Sequence, residues 1–287
     1  MMFSKSRHML AALVAAACLN SPAVASDTLK DRVDAGEVTI GIHNRAPWGF
    51  RTESGEVAGF HPDLVREALA PLGITKINFV VTEFGALIPG LQAHRFDMIA
   101  SGIAVTAERC QQVIFSEPDL SVVDAVIVKK GNPKNIHSFD DITNGDVTLA
   151  GDRGSLNTKH ALDAGVPEDK IMQFPGGAES ISAILAGRVD GTVLSAPTAM
   201  MMLKDPKLSE LERATPFTGL MRADGTPEAM ATAIAMRTDD TELRDAYNAR
   251  LAEMKADGTV AAIMERYGFS SEDSAPERTT ASICAGN

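Results

Sequence analysis

Aromatic side chains are scarce in this sequence. Phe, Trp and Tyr make up 5% of the 287 residues, with one Trp and two Tyr. Apolar side chains in the core are therefore mostly aliphatic. An aromatic ring that stands in a loop consequently marks a candidate ligand contact, because ligand pockets are lined mainly by hydrophobic and aromatic groups. Trp48 and Phe84 are two such residues.

Basic residues are outnumbered by acidic ones. The chain has 27 Lys and Arg against 38 Asp and Glu, a formal charge of −11 and a pI near 5.0. Nucleic-acid binding needs a basic face that neutralises phosphates, so this composition argues against a nucleic-acid partner. The acidic balance favours solubility.

Long hydrophobic runs are missing, since no stretch reaches the 18 apolar residues expected of a membrane span. The N-terminus has a short hydrophobic run at 9–19, which Lys5 and Arg7 precede. Ala23-Val24-Ala25 after it fits a cleavage site. These features predict a cleaved secretory signal peptide at 1–25. The mature protein would be exported and would carry a formal charge of −13, because residues 1–25 contain two basic groups and no acids.

Cysteines are few, with three in the chain. Cys18 leaves a lipoprotein alternative open, although Ala15 stands where a larger aliphatic residue is usual. Cys110 and Cys284 remain after cleavage, and an isolated pair in an oxidising compartment is a disulfide candidate that spacing alone does not establish. No Cys or His stands at metal-ligand spacing to either, so we expect neither a metal nor a cofactor.

Strand-like and helix-like segments alternate along the chain. Apolar runs at 38–42, 77–81 and 96–100 are separated by helical patterns, and a second series of strand–helix units occupies 122–230. This alternation predicts an α/β fold with mainly parallel sheets. Ligands bind outside the carboxyl ends of such strands. Trp48, Phe84 and the segment 101–109 each follow a predicted strand, so we expect them to converge.

The segment 84–109 is the most informative stretch. It predicts a helix from Phe84, a strand at 96–100, a turn of small residues at Ser101-Gly102, and then Arg109. The planar fork of an Arg side chain matches the two oxygens of a carboxylate. Alternatively, Arg109 is an ordinary surface residue in the first turn of a helix.

A glycine turn in the second series of units resembles an anion site. Gly154 and Ser155 precede a predicted helix at 156–164, where free N–H groups would gather. The turn could equally be an ordinary connection between a strand and a helix. Further along, a strand at 233–237 and helices at 241–255 and 260–267 lead to a polar, aperiodic tail that would be mobile unless Cys284 anchors it.

Five motifs in order resemble the polar amino-acid family of periplasmic solute-binding proteins of ABC importers. They are APWGF, GEVAGFHPDLVREALAPLG, LIPGLQAHRFDMIASGIAVTAER, GRVDGTVLS and ELRDAYNARLAEMKADGTVAAIMERYGF. The segment 84–110 together with KKGNPKNIHSFDDI is most similar to the ectoine/hydroxyectoine-binding branch. The resemblance covers essentially all of the mature chain.

The resemblance implies a two-lobed, type II periplasmic binding protein fold with two connecting strands. Lobe 1 would comprise 26–121 plus 231–269, lobe 2 would comprise 122–230, and 270–287 would form the tail. By the same resemblance, Arg109 holds the ligand carboxylate and Trp48 and Phe84 form aromatic walls. The implied ligand-binding positions also include Ser101, Gly102, Thr106, Gly154 and Ser155, the last two as N–H donors.

Three positions depart from the family pattern. Ser195 stands where amino-acid binders carry an Asp for the α-ammonium group, and the ectoine branch lacks that Asp as well. Arg45 stands where the ectoine branch has an acidic residue, and Ala104 where it has an aromatic one. Arg45 would repel a cationic ligand if it faced the cleft, but not if it faced solvent.

The resemblance implies a solute receptor with two partners, a small amino-acid-like ligand and the permease of an ABC importer. We expect a monomer without enzymatic activity. One alternative is a periplasmic lyase or dehydratase on the same scaffold, which would need a general acid or base in the cleft; Ala104, Ser195 and Arg45 offer none. A second alternative is a soluble sensor that feeds a chemoreceptor.

Overall fold

The computed structural model describes residues 28–286. The predicted signal peptide and Cys18 lie outside these residues. The strands are β1 (Glu37–Ile42), β2 (Phe50–Arg51), β3 (Val57–Ala58), β4 (Lys76–Val81), β5 (Met98–Ile99), β6 (Ile114–Phe115), β7 (Leu120–Val122), β8 (Asp124–Lys129), β9 (Leu149–Asp152), β10 (Ile171–Phe174), β11 (Gly191–Ser195), β12 (Leu211–Arg213), β13 (Met230–Thr232) and β14 (Ala235–Met236).

The α-helices of the described part lie between and after these strands. They are α1 (Thr28–Ala35), α2 (Phe60–Leu69), α3 (Leu87–Gln92), α4 (Ala107–Cys110), α5 (Phe139–Asn144), α6 (Leu156–Asp163), α7 (Gly177–Leu185), α8 (Ala196–Met202), α9 (Thr241–Ala256), α10 (Thr259–Arg266) and α11 (Thr280–Cys284).

The first five-stranded sheet has the order β4-β1-β5-β14-β6. Strand β1 pairs in parallel with β4 and β5, whereas β14 runs antiparallel to β5 and β6. Four strands therefore point one way and one is reversed. The aliphatic side chains of β1 are buried, and α2, α9 and α10 pack together beside this sheet around Tyr247.

The second five-stranded sheet repeats this plan with the order β10-β9-β11-β8-β12. Strands β10, β9 and β11 are parallel, and β8 runs antiparallel to β11 and β12. Helices α6, α7 and α8 contact this sheet. Each sheet is thus mainly parallel with one reversed strand, and the chain has the two-lobed fold of type II periplasmic binding proteins.

A separate pair of strands connects the two sheets. Strand β7 pairs antiparallel with β13, with Ser121 opposite Ala231. The chain leaves the first sheet after β6, enters the second at β8, and returns through β13 to β14. We therefore propose lobe boundaries at 121/122 and 230/231.

Several element boundaries differ from the predictions. The helix expected from Phe84 starts as a 3₁₀ turn, and α3 begins at Leu87. Pro89 fits there because proline is tolerated in the first turn of a helix. The strand expected at 96–100 is reduced to β5, and α8 was not predicted.

The C-terminal tail is anchored to the first lobe. Cys110 and Cys284 form a disulfide with a Cα–Cα distance of 5.7 Å, which joins α4 to α11. Ser274 also bridges to Leu120, and Ile283 is buried. Hydrophobic periodicity could not reveal this arrangement, because the tail is held mainly by a covalent link and by polar contacts such as the bonds from Thr280 to Ser116 and Glu117.

Candidate ligand-binding site

A cavity lies between the lobes. The parallel strands β1, β4 and β5 end at its edge, so the loops that follow them converge there. Of the residues expected to bind ligand, the cavity is lined by Arg45, Trp48, Phe84, Ser101, Gly102, Ala104, Arg109, Ser155 and Ser195. Thr106 and Gly154 instead line an adjoining outer groove, together with Ile88, Glu108 and Lys159.

Arg109 is held at the cavity by local structure. The Thr106 hydroxyl caps α4 by accepting the Arg109 backbone N–H at 3.2 Å. The guanidinium donates Nη1–H to the Ala104 carbonyl at 2.7 Å and Nη2–H to the Gly154 carbonyl of the other lobe at 3.0 Å. Its Cζ lies 5.6 Å from the centroid of the Phe84 ring, within cation–π range.

The charge of Arg109 has no counter-ion in the described part of the chain. None of the ion pairs among residues 28–286 involves Arg109. Burial lowers the pKa of Arg109 to about 10, opposed by the neighbouring Glu108. The group remains charged at neutral pH, and its fork retains N–H donors beyond the two already used. A carboxylate in the cavity would supply the missing negative charge.

Arg45 has a different environment. Its guanidinium forms an ion pair with Asp152 at the end of β9, and both side chains are largely buried, at 16% and 5% exposure. Arg45 therefore faces the cleft, with its charge neutralised by the opposite lobe. Asp152 was not predicted as a site residue, although the rule that places ligands at the carboxyl ends of parallel strands applies equally to β9.

Trp48 packs on a glycine that no other residue could replace. Gly102 has φ +67°, and a Cβ atom there would lie 2.4 Å from the indole ring. The Gly102 N–H donates to His61 Nδ1 at 2.6 Å, which fixes the turn. The indole ring also contacts His61 and Phe269, so it is mostly covered.

The far end of the cavity is lined by neutral hydroxyl groups. Trp48 Nε1–H donates to Thr198 Oγ1 across the cleft at 3.0 Å, and Thr198 Oγ1 lies 2.9 Å from Ser195 Oγ. Both hydroxyls are buried at the start of α8. Ser195 therefore offers a ligand hydrogen bonds but no charge.

The lobe 2 turn differs from the expected N–H donor arrangement. The Ser155 N–H donates to the Asp152 carbonyl at 3.1 Å, and Gly154 contributes its carbonyl to Arg109. The N–H groups of Leu156 and Asn157 are free beside this turn. They begin α6, line the cavity, and have no acceptor within residues 28–286. The first N–H groups of any helix lack intrahelical partners, which explains why these two groups are free.

A buried network connects the site to the strands between the lobes. Because His61 Nδ1 accepts from Gly102, its Nε2–H donates to Asp119, at 3.0 Å. The Thr232 hydroxyl donates to the other Asp119 oxygen at 2.5 Å, and Thr232 lines the cavity from β13. His61 and Asp119 were not predicted as site residues, because their pairing depends on tertiary contacts.

A second His–Asp pair lies behind the lobe 2 wall. Asp124 accepts from Asn157 Nδ2 at 2.7 Å and lies 2.8 Å from His160 Nδ1. Since a carboxylate can only accept, Asn157 must turn its NH₂ group towards Asp124. This fixes the orientation of an amide that lines the cavity.

His43 lines the cavity beside Arg45. Its backbone N–H donates to the Ser101 hydroxyl at 2.7 Å. Burial lowers the pKa of His43 below its ordinary value, and the charge of Arg45 lowers it further. We therefore treat this imidazole as neutral at pH 7.

The described residues contain no cluster of three or more His, Cys, Asp or Glu side chains arranged for a metal ion. Nor does any helix within 28–286 combine the length and apolarity needed to cross a membrane. The cavity thus combines one unpaired cation, one ion pair, aromatic rings, hydroxyl groups and free backbone donors.

Comparison with known proteins identifies the family. The model of the bacterial extracellular solute-binding proteins, family 3, matches residues 38–270. The chain belongs to this family. A probable amino-acid ABC transporter periplasmic-binding protein, y4tE of Sinorhizobium fredii, is 37% identical over 263 residues, covering 90% of this chain and 86% of the relative.

More distant relatives and solved structures agree with this assignment. The histidine-binding periplasmic protein of Escherichia coli is 28% identical over 225 residues, covering 77% of this chain and 83% of the relative. The crystal structure of EhuB in complex with hydroxyectoine is 32% identical with a TM-score of 0.82, covering 91% of this chain and 99% of EhuB. The ancestral amino-acid-binding protein AncCDT-1 is 30% identical with a TM-score of 0.73, covering 84% and 99%.

Proposed function

We propose that this solute-binding protein captures a small amino-acid-like carboxylate in the cavity between its lobes and delivers it to the permease of an ABC importer. The observation that carries the proposal is Arg109, a charged guanidinium at the cavity with no counter-ion in the described chain. Its relatives are periplasmic binding proteins. We therefore place its action in the periplasm, after cleavage of the signal peptide.

Ligand capture would couple to closure because the donors come from both lobes. Arg109 and Phe84 belong to the first lobe, whereas Leu156, Asn157 and Ser195 belong to the second. A solute that contacts both sets binds the closed form more tightly than the open one and therefore shifts the population towards it. The closed form is the species that the permease would recognise.

The relatives suggest two classes of solute. EhuB binds hydroxyectoine, and the Escherichia coli relative is named for histidine. Ectoine-type compounds and polar amino acids share a carboxylate that Arg109 would hold. Ala104 leaves room where the ectoine branch has an aromatic ring, so stacking would rest mainly on Phe84.

Enzymatic turnover on this scaffold is the second candidate function, because AncCDT-1 is described as a precursor of cyclohexadienyl dehydratase. The titratable groups in the cavity that are not arginines are His43 and Asp152. Asp152 is held by Arg45, and His43 Nδ1 lies 3.2 Å from the Thr82 carbonyl oxygen, so both side chains are engaged with protein partners. We therefore propose binding without turnover, and direct delivery rather than signalling through a chemoreceptor.

A thermal-shift panel tests this proposal. It would contain ectoine, hydroxyectoine, the standard amino acids, N-acetyl amino acids and 2-oxo acids. A solute present at 100 times its dissociation constant stabilises the protein by roughly 2.7 kcal/mol. We expect at least one carboxylate to do so in the wild type and not in Arg109→Ala. Stabilisation by none of them, or equal stabilisation of both proteins, would contradict the proposal, and product analysis of the same samples would detect turnover.

A further inference from the structure

The charges of the ionisable side chains that line the cavity do not sum to zero. These side chains are His43, Arg45, Arg109 and Asp152. His43 is neutral, while Arg45 and Asp152 cancel as an ion pair. Arg109 remains, so the lining carries one net positive charge.

We propose that the solute carries one net negative charge at neutral pH, rather than being a net-neutral zwitterion. The proposal rests on the proposed function and narrows its solute class. An uncompensated charge enclosed by the lobes is costly, and a solute of opposite charge removes that cost when it binds. A zwitterion would leave the cavity with the same net charge that it had before binding.

The position of Asp152 supports this inference. It is the one carboxylate in the cavity lining, and Arg45 already occupies it. Ser195, where amino-acid binders have an Asp, supplies only a hydroxyl group. An ammonium group on the solute would therefore have to compete with Arg45 for Asp152.

Charges beyond the lining do not supply a partner for an ammonium group. Asp119 and Asp124 each accept hydrogen bonds from protein donors at both carboxylate oxygens and do not line the cavity. In the outer groove, Glu108 and Lys159 have opposite charges, so these two side chains add no net charge there. Because neither buried carboxylate lines the cavity, neither is placed to pair with an ammonium group of the solute.

The rest of the lining suits uncharged polar groups. Ser195 and Thr198 present hydroxyls, and Asn157 presents an amide whose orientation is fixed by Asp124. These groups can bond an amide, a hydroxyl or a carbonyl of the solute without any requirement for charge. Two kinds of solute satisfy the inference: a carboxylate with its nitrogen acylated, and an amino acid with a second carboxylate beside Arg45.

Matched probes separate these kinds from zwitterions. Isothermal titration would compare N-acetylalanine with alanine, and glutamate with glutamine, with ectoine as a further net-neutral probe. Each pair keeps its α-carboxylate and differs by one unit of net charge. In the wild type we expect the anionic member of at least one pair to bind about tenfold more tightly, and the pair that responds identifies the kind of solute.

Three variants test the charge count itself. Arg45→Gln lowers the lining charge to zero, Asp152→Asn raises it to two, and the double variant restores it to one. The anion-to-zwitterion preference should fall about tenfold in Arg45→Gln, rise in Asp152→Asn, and return to within about threefold of wild type in the double variant. Comparing preferences within one variant cancels any general effect of losing the bond between the lobes.

The outcomes are distinguishable. If ectoine or the zwitterionic members bind more tightly than the anions, or if both single variants shift the preference in the same direction, the inference is wrong and the proposed function stands. If no probe binds and the wider panel also gives no ligand, the proposed function fails as well.

Discussion

Arg45 and Arg109 are two arginines of the first lobe that both reach the second, and they meet different partners. Arg45 meets the carboxylate of Asp152. Arg109 meets the carbonyl oxygens of Ala104 and Gly154 and the face of Phe84. The first charge is satisfied within the protein, whereas the second is only solvated by dipoles. Both arginines thus join the lobes, but only Arg109 is left with a charge, which we propose is neutralised by the ligand.

The two arginines also differ in how they are supported. Arg45 belongs to a tight turn closed by hydrogen bonds from Trp48 and Gly49. Arg109 belongs to a helical turn capped by Thr106, and its neighbour Cys110 is bonded to the C-terminal helix. A group that must hold a ligand gains from such support, because binding then costs less conformational entropy.

The largest expected effect comes from removing the unpaired arginine. Arg109→Ala should weaken binding of a carboxylate solute by about 2–5 kcal/mol, because the variant removes the charge partner of a buried carboxylate. Isothermal titration measures this loss. The matched variant Arg45→Ala should lose less affinity. An equal or greater loss in Arg45→Ala would contradict the difference that we propose between the two arginines.

The disulfide beside Arg109 should matter mainly for stability. Its two cysteines are 174 residues apart, so it restricts a long loop of the unfolded chain. The double variant Cys110→Ser/Cys284→Ser should lower the free energy of unfolding by about 2–4 kcal/mol. Urea unfolding measures this change. A change in the free energy of unfolding of less than about 0.5 kcal/mol, which is the size of a typical surface effect, would show that the tail does not depend on the bond.

A smaller effect is expected at the hydroxyl end of the cavity. Thr198→Val removes the acceptor of Trp48 Nε1–H and leaves a buried donor unsatisfied, at a cost of about 1–3 kcal/mol. Because this bond joins the lobes, the cost should appear in ligand affinity and in the closed fraction measured by small-angle scattering. Unchanged values of both would mean that the bond does not contribute to closure.

The smallest effect concerns pH. The folded protein holds the pKa of His43 below its ordinary value of 6.5 through burial. Below pH 6.5 the unfolded chain therefore binds a proton more readily than the folded one, and stability falls as the pH is lowered. His43→Asn should flatten the decline in melting temperature between about pH 7 and pH 5, the range in which histidine titrates. An identical decline in both proteins would assign it to other groups.

Much of the fold followed from local pattern. The aliphatic run of β1 and the alternation of strands with helices predicted the sheets, and parallel pairing brought the loops of Trp48, Phe84 and Ser101 together. These features depend on periodicity and on strand direction, both of which a sequence records. Short elements such as α8 and β5 were missed or misplaced because a few residues carry little periodic signal.

The partners of individual site residues could not be predicted. Whether Arg45 faced the cleft depended on Asp152, which lies 107 positions further along the chain by residue number. The pairing of His61 with Asp119 likewise arises from tertiary packing. At the lobe 2 turn, Ser155 was predicted as a donor to the ligand, but its N–H is used inside the turn by the Asp152 carbonyl.

One measurement tests the central claim, that Arg109 holds the carboxylate of the solute. The tightest-binding solute of the panel would be titrated beside its α-carboxamide analogue, against wild type, Arg109→Gln and Arg45→Gln. We expect wild type and Arg45→Gln to prefer the carboxylate by about 2–5 kcal/mol, and Arg109→Gln to show no preference. A preference that survives in Arg109→Gln, or that disappears in Arg45→Gln, would contradict the account.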